Sequence, residues 1–165
     1  MTTHSENTAT INFPIEKVHQ ALSTRAYWDH EVATIGDEPG KVNEFADNPV
    51  KAELFELLPK DALPEAVRGF VSQDLKLKRV VSMEALDGNK ASGQISADVK
   101  GAPVSISGDL TLTGEGDKTT LTTDSAVNVK IPMMGSVLEP KVAEWLGAFL
   151  DREASILEKW IGENL

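Results

Sequence analysis

The chain has no cysteine, which excludes disulfides, thiolate metal sites, iron–sulfur clusters and thiol nucleophiles together. Basic residues are scarce as well: 16 Lys and Arg stand against 26 Asp and Glu, for a formal net charge of -10. With no basic cluster and no aromatic–basic stripe, attraction to nucleic acid or to anionic lipid headgroups is excluded as a driving force. No apolar run approaches the length of a membrane span, and the polar stretch Met1 to Phe13 lacks the apolar segment of a signal peptide. These absences point to a soluble cytoplasmic protein. Catalytic signatures are missing too. There is no G-x-S-x-G, P-loop or dinucleotide fingerprint, and Gly114-Glu115-Gly116 sits in a hairpin turn with no helix after it. His4, His19 and His30 match no metal-ligand spacing, so neither a metal nor another cofactor is expected.

What is present is clearest at the C-terminal end. Pro132 to Leu165 reads as one long amphipathic helix. At about 100° per residue, Leu138, Val142, Trp145, Leu146, Phe149, Ile156, Leu157 and Trp160 share one broad stripe. Glu153 falls inside that stripe, between Leu146, Phe149, Leu157 and Trp160. A buried lone carboxylate is costly unless paired, hydrated or protonated, so this helix faces something other than a closed dry core.

Upstream, Ser5 to Asn12 reads as a strand, and Pro14 opens a helix whose inner face is Ile15, Val18 and Leu22. Ser23 or Thr24 can cap a second short helix carrying Tyr27, Trp28, Val32 and Ile35 and ended by Gly36, with the two aromatics anchoring it. The period then changes to alternation. Strands are expected at Gly40 to Ala46, Lys51 to Leu58, Gln73 to Leu86, Lys90 to Lys100, Val104 to Thr113 and Lys118 to Ile131. Turns at Asp87-Gly88-Asn89, Gly101-Ala102-Pro103 and Gly114 to Asp117 make the neighbours antiparallel. With no repeat or linker in its 165 residues, the chain reads as a single α+β domain, 1–165. One apolar sheet face and one long apolar helix face bury each other, the sheet curling around the helix.

Alternation assigns inward sets: Ala91, Gly93, Ile95, Ala97 and Val99; then Val104, Ile106, Gly108, Leu110 and Leu112; then Leu121, Thr123, Ser125, Val127 and Val129. Bulk sits at the strand ends, and glycine, serine and threonine at several central positions. That pattern leaves room for a cavity, although a glycine in a strand also marks a bend. An empty void costs roughly 24 cal/mol per Å³, so a sizeable one needs a ligand or water. Counting from Leu75 and Leu77 puts Arg79 inward, followed by Val81 and Met83; a single bulge would put Val80 there instead. An inward Arg79 can pair with Glu153 and orient a ligand. Otherwise Glu153 bonds a ligand hydroxyl, acts as an acid/base with a raised pKa, or reaches water at the cavity mouth.

The segments Phe13-Pro14-Ile15-Glu16-Lys17-Val18, Ala26-Tyr27-Trp28, Leu63-Pro64 to Phe70-Val71, Gly101-Ala102-Pro103 and Lys130-Ile131-Pro132 through Glu139 carry a resemblance that spans nearly the whole chain. They resemble an uncharacterised bacterial family, domain of unknown function 2505, within the START-like SRPBCC superfamily. That superfamily takes in steroid-transfer domains, pollen allergens and polyketide cyclases. The resemblance implies the helix-grip fold, with a hydrophobic cavity between sheet and C-terminal helix, and it supplies no shared catalytic motif.

The leading expectation is therefore a binding or carrier protein for a small apolar ligand of lipid, sterol, polyketide or aromatic class. The lining would come from Arg79, Val81, Gly93, Ile95, Ile106, Gly108, Leu110, Thr123, Ser125 and Val127 on the sheet, and Leu146, Phe149, Glu153 and Leu157 on the helix. The excursion Pro59 to Phe70 would offer Leu63, Val67 and Phe70 as a lid, and Met133-Met134-Gly135 would border an entrance. Two other readings stand beside it. One is a cyclase, dehydratase or hydrolase using Glu153 as general acid/base; the other is a protein-interaction module without a pocket.

Overall fold

The computed structural model describes residues 2–36, 38–58, 65 and 75–165. Alternating polar and apolar residues build seven antiparallel strands: β1 (Thr3–Ile11), β2 (Lys41–Asp47), β3 (Val50–Leu58), β4 (Leu75–Met83), β5 (Lys90–Lys100), β6 (Val104–Glu115) and β7 (Lys118–Val129). They form one sheet in the order β1-β7-β6-β5-β4-β3-β2. Two short helices, α1 (Ile15–Leu22) and α2 (Arg25–Thr34), fill the connection from β1 to β2, and the chain closes with α3 (Gly135–Asn164). The sheet curls around α3, while α1 and α2 close its open side against the same helix. This is the helix-grip fold.

Hydrophobic burial runs along both flanks of α3. Toward its N-terminal end, Leu138, Val142, Leu146 and Phe149 pack with Leu77, Val99, Ile106 and Val127. Toward its C-terminal end, Leu157, Trp160 and Ile161 pack with Trp28, Leu54, Val81 and Leu112. Tyr27 stands edge-on between Trp28 and Trp160, with ring centroids 4.9 and 5.7 Å away. The Trp28 indole nitrogen donates to Leu22 O at 2.9 Å, so the aromatic pair fixes α2 to the end of α1.

Several boundaries differ from the alternation reading. The long helix starts at Gly135, not Pro132, because Ile131 O closes a turn onto Met134 N and Gly135 N, with Met133 at φ 66°. β1 starts at Thr3 and ends at Ile11, β4 ends at Met83, β6 runs on to Glu115 and β7 stops at Val129. Thr24 occupies the cap position of α2 without a capping bond; its hydroxyl donates back to Gln20 O at 2.7 Å.

The bend reading of the strand glycines has a direct basis. A Cβ at Gly93 would lie 2.0 Å from Ser82 O, and one at Gly108 would lie 2.5 Å from Asp124 O. Adjacent backbones approach too closely there for any side chain, as a strongly curled sheet requires.

Candidate functional site

Parity along β3 and β4 brings the chemistry together. Leu54 pairs with Arg79 and Glu56 with Leu77, so Glu56 and Arg79 are diagonal neighbours on the inner face. The pairing of β4 with both neighbours is continuous through Arg79, which leaves no bulge to turn it outward. On α2, Glu31 lies one turn after Tyr27 and points the same way. On α3, Glu153 completes the ring.

Arg79 is the hub. Its Nε donates to Glu56 Oε1 at 3.0 Å and its Nη2 to Glu31 Oε1 at 2.9 Å; Nη2 also donates to Glu153 Oε2. The side chains of Arg79, Glu31 and Glu56 are 1%, 0% and 2% exposed, whereas Glu153 keeps 14%. Phe149 lies against the guanidinium, 5.1 Å from its carbon to the ring centroid, an added cation–π contact. With every carboxyl ionised, Tyr27 OH, Glu31 Oε2, Glu56 Oε2 and Arg79 Nη1 are buried without a hydrogen-bond partner among the described residues.

Three carboxyls around one guanidinium cannot all stay charged cheaply. Burial drives the Glu31 pKa well above its ordinary value; attraction to Arg79 opposes this, and the nearby Glu153 and Glu56 charges reinforce it. Glu56 is raised as well, again chiefly by burial. Burial also pushes on Glu153, but attraction to Arg79 and hydrogen bonds from Arg79 and Glu31 outweigh it and hold that carboxyl below its ordinary value. The two shifts run in opposite directions, so of this pair Glu31 keeps a proton more readily than Glu153, and a protonated Glu31 can hydrogen-bond to the Glu153 carboxylate. Burial likewise pushes the Tyr27 phenol well up, so it stays neutral. Arg79, despite its burial, is held charged by Glu153, Glu56 and Glu31. This corrects the expectation of a raised pKa at Glu153: the cation beside it reverses the sign, and a group ionised at neutral pH has no proton to give as a general acid.

Beside the hub, between sheet and α3, lies a cavity of about 30 Å³. That volume holds about two waters. Its lining includes six of the sequence-derived candidates, Arg79, Val81, Ile95, Leu110, Thr123 and Glu153. It also includes Leu22, Trp28, Val50, Met83, Leu121 and Leu150, which were not among them. Ile106, Val127, Leu146 and Leu157 are core residues that do not reach the cavity, and Phe149 touches the hub instead. Gly108 and Ser125 border a broad open furrow on the opposite, polar face of the sheet, and Gly93 a smaller one beside it. That furrow is larger, about 1000 Å³, but most of its polar side chains are exposed or half-buried, and no member of the Arg79 cluster lines it. Leu63, Val67 and Phe70 lie outside the described residues. Met133, 99% exposed, does not line the cavity, nor do Met134 and Gly135.

Glu31 and Glu56 are the members of the site that the sequence reading missed. Glu56 had a signal: it shares the parity of Ala52 and Leu54, both fully buried. Glu31 had a weaker one, its spacing of one turn from Tyr27 beside Val32.

Comparisons with known proteins agree with this fold. Residues 6–161 match the family described as "Protein of unknown function (DUF2505)". An uncharacterized protein of Mycobacterium tuberculosis is 22% identical over 160 residues, covering 92% of each chain. Among solved structures, the Zhui aromatase/cyclase from Streptomyces sp. R1128 superposes with TM-score 0.56 at 16% identity, covering 99% of this chain and 93% of its own. A START superfamily protein from Mycobacterium smegmatis gives 0.53 at 15% identity, with 98% and 99% covered. At such identities the structural likeness concerns the fold.

Proposed function

We propose, from the premise that the chain belongs to the DUF2505 family and has the helix-grip fold, that it binds a small apolar ligand between the curled sheet and α3. The observation that carries this is the apolar cavity with Arg79 and Glu153, two members of the ion cluster, in its wall. Apolar walls with a few convergent polar groups are the usual make-up of a small-molecule site. The START and aromatase/cyclase likenesses support the fold on which this reading rests. At about 30 Å³ the closed cavity holds only water-sized guests, so binding enlarges it by moving side chains such as Leu121, Leu150 and Trp28.

Titration with a neutral naphthylamine fluorophore tests this. Saturable enhancement at one site per chain is expected, and Leu110→Phe, which puts a ring into the cavity, abolishes it while the circular dichroism stays unchanged. Enhancement that never saturates, or that Leu110→Phe leaves intact, refutes the assignment. Native mass spectrometry of gently extracted protein then identifies the class of any passenger.

A further inference from the structure

An arginine in the wall of an apolar pocket is ordinarily an anion receptor, because its planar fork matches a carboxylate. Arg79 is not placed to act that way. Glu56 takes its Nε, Glu31 and Glu153 take its Nη2, and only Nη1 is left without a partner among the described residues. Neither Glu31 nor Glu56 lines the cavity, so from inside the cavity the guanidinium is met together with the Glu153 carboxylate. Thr123 belongs to the same wall.

Each type of headgroup fares differently against that wall. A carboxylate would add a fourth acid to three already gathered around one cation, in surroundings that screen poorly. An ammonium would meet Glu153 and the guanidinium at once. An uncharged hydroxyl suits both partners: its oxygen accepts from the guanidinium and its hydrogen goes to the carboxylate. Resting on the cavity-binding reading above, we propose that Glu56, with Glu31 and Glu153, converts Arg79 from an anion receptor into a receptor for uncharged hydroxyls. The cavity then takes alcohols or phenols with an apolar body and turns carboxylates away.

The experiment compares para-propylphenol, para-propylbenzoate, para-propylbenzylamine and propylbenzene by calorimetric or NMR titration of the full chain near neutral pH. The phenol is expected to bind at least about tenfold more tightly than the benzoate and the benzylamine, and more tightly than the hydrocarbon. Glu56→Gln keeps the carbonyl that accepts from Arg79 Nε but removes a charge. It is expected to narrow the phenol-to-benzoate ratio to about threefold or less, through a gain for the benzoate. Benzoate or benzylamine binding as well as the phenol overturns the proposal. So does a ratio unchanged in a folded Glu56→Gln; should that variant not fold, the wild-type ratio alone decides. If all four bind alike, the headgroup assignment falls and the cavity reading stands. If none binds, propylbenzene included, both fall.

Discussion

Glu139 and Glu153 lie about four turns apart on α3, both largely withdrawn from water, and they are satisfied in opposite ways. Glu139, fully buried, accepts from the Val129 backbone N–H and from the Thr3 hydroxyl, each at 3.0 Å. Its two donors are neutral and fixed, and they tie the start of α3 to the ends of β7 and β1. Glu153 instead shares one guanidinium with two other carboxyls, and buried polar atoms are left over. The first arrangement is a closed structural pin. The second keeps a surplus of acid and of bonding capacity beside an empty volume, which is what distinguishes a candidate site from ordinary framework.

The sharpest way to break this comparison is Arg79→Leu. It strands three buried carboxyls, and a loss of about 3–5 kcal/mol is expected in urea denaturation, enough to leave the chain largely unfolded if its stability is modest. A loss no larger than that of a surface ion pair would mean that the cluster is not charged in the folded protein. Glu139→Ala comes next. It leaves the Val129 N–H without its acceptor and should cost about 1–3 kcal/mol, with little dependence on salt because neither donor is charged.

Glu31→Gln has the smallest effect at low pH and the most informative pH dependence. A carboxyl with a raised folded pKa binds more protons folded than unfolded, so stability falls as pH rises from the ordinary value of 4.5 toward the folded one. Glu56 acts in the same direction. Glu153, held low, acts the other way: its contribution is present above 4.5 and is lost as pH falls through its folded pKa. Glu31→Gln should therefore match the wild type in acid and gain on it steadily as pH rises, in denaturation series at matched ionic strength. A parallel profile at every pH would place the proton elsewhere.

Much of this was legible in the sequence. Helical spacing put Glu153 on the apolar face of α3, and counting from Leu77 put Arg79 on the inner face of β4, because each signal needs only the period of one element. The companions of that pair were harder to read. Glu31 sits in the charged run Asp29-His30-Glu31, and nothing local says that its direction is inward; that depends on α2 docking through Tyr27 and Trp28. Parity carries the inner position of Glu56, but a glutamate between apolar residues is read as solvent-facing until the diagonal arginine on β4 is known. Cavity size was out of reach for another reason. Gly93 and Gly108 mark backbone contacts rather than open space, and the two causes look alike in a sequence.

One side chain on β4 holds carboxyls from β3, α2 and α3 at once. Freeing any one of those elements breaks a bond to the same guanidinium and opens the charges that the others bury to water. The inner amides of α2, of the β3–β4 pair and of the middle of α3 should therefore exchange with solvent as one cooperative unit, at a shared opening free energy. A guest entering beside the hub would slow exchange in all of them together, including segments it never touches.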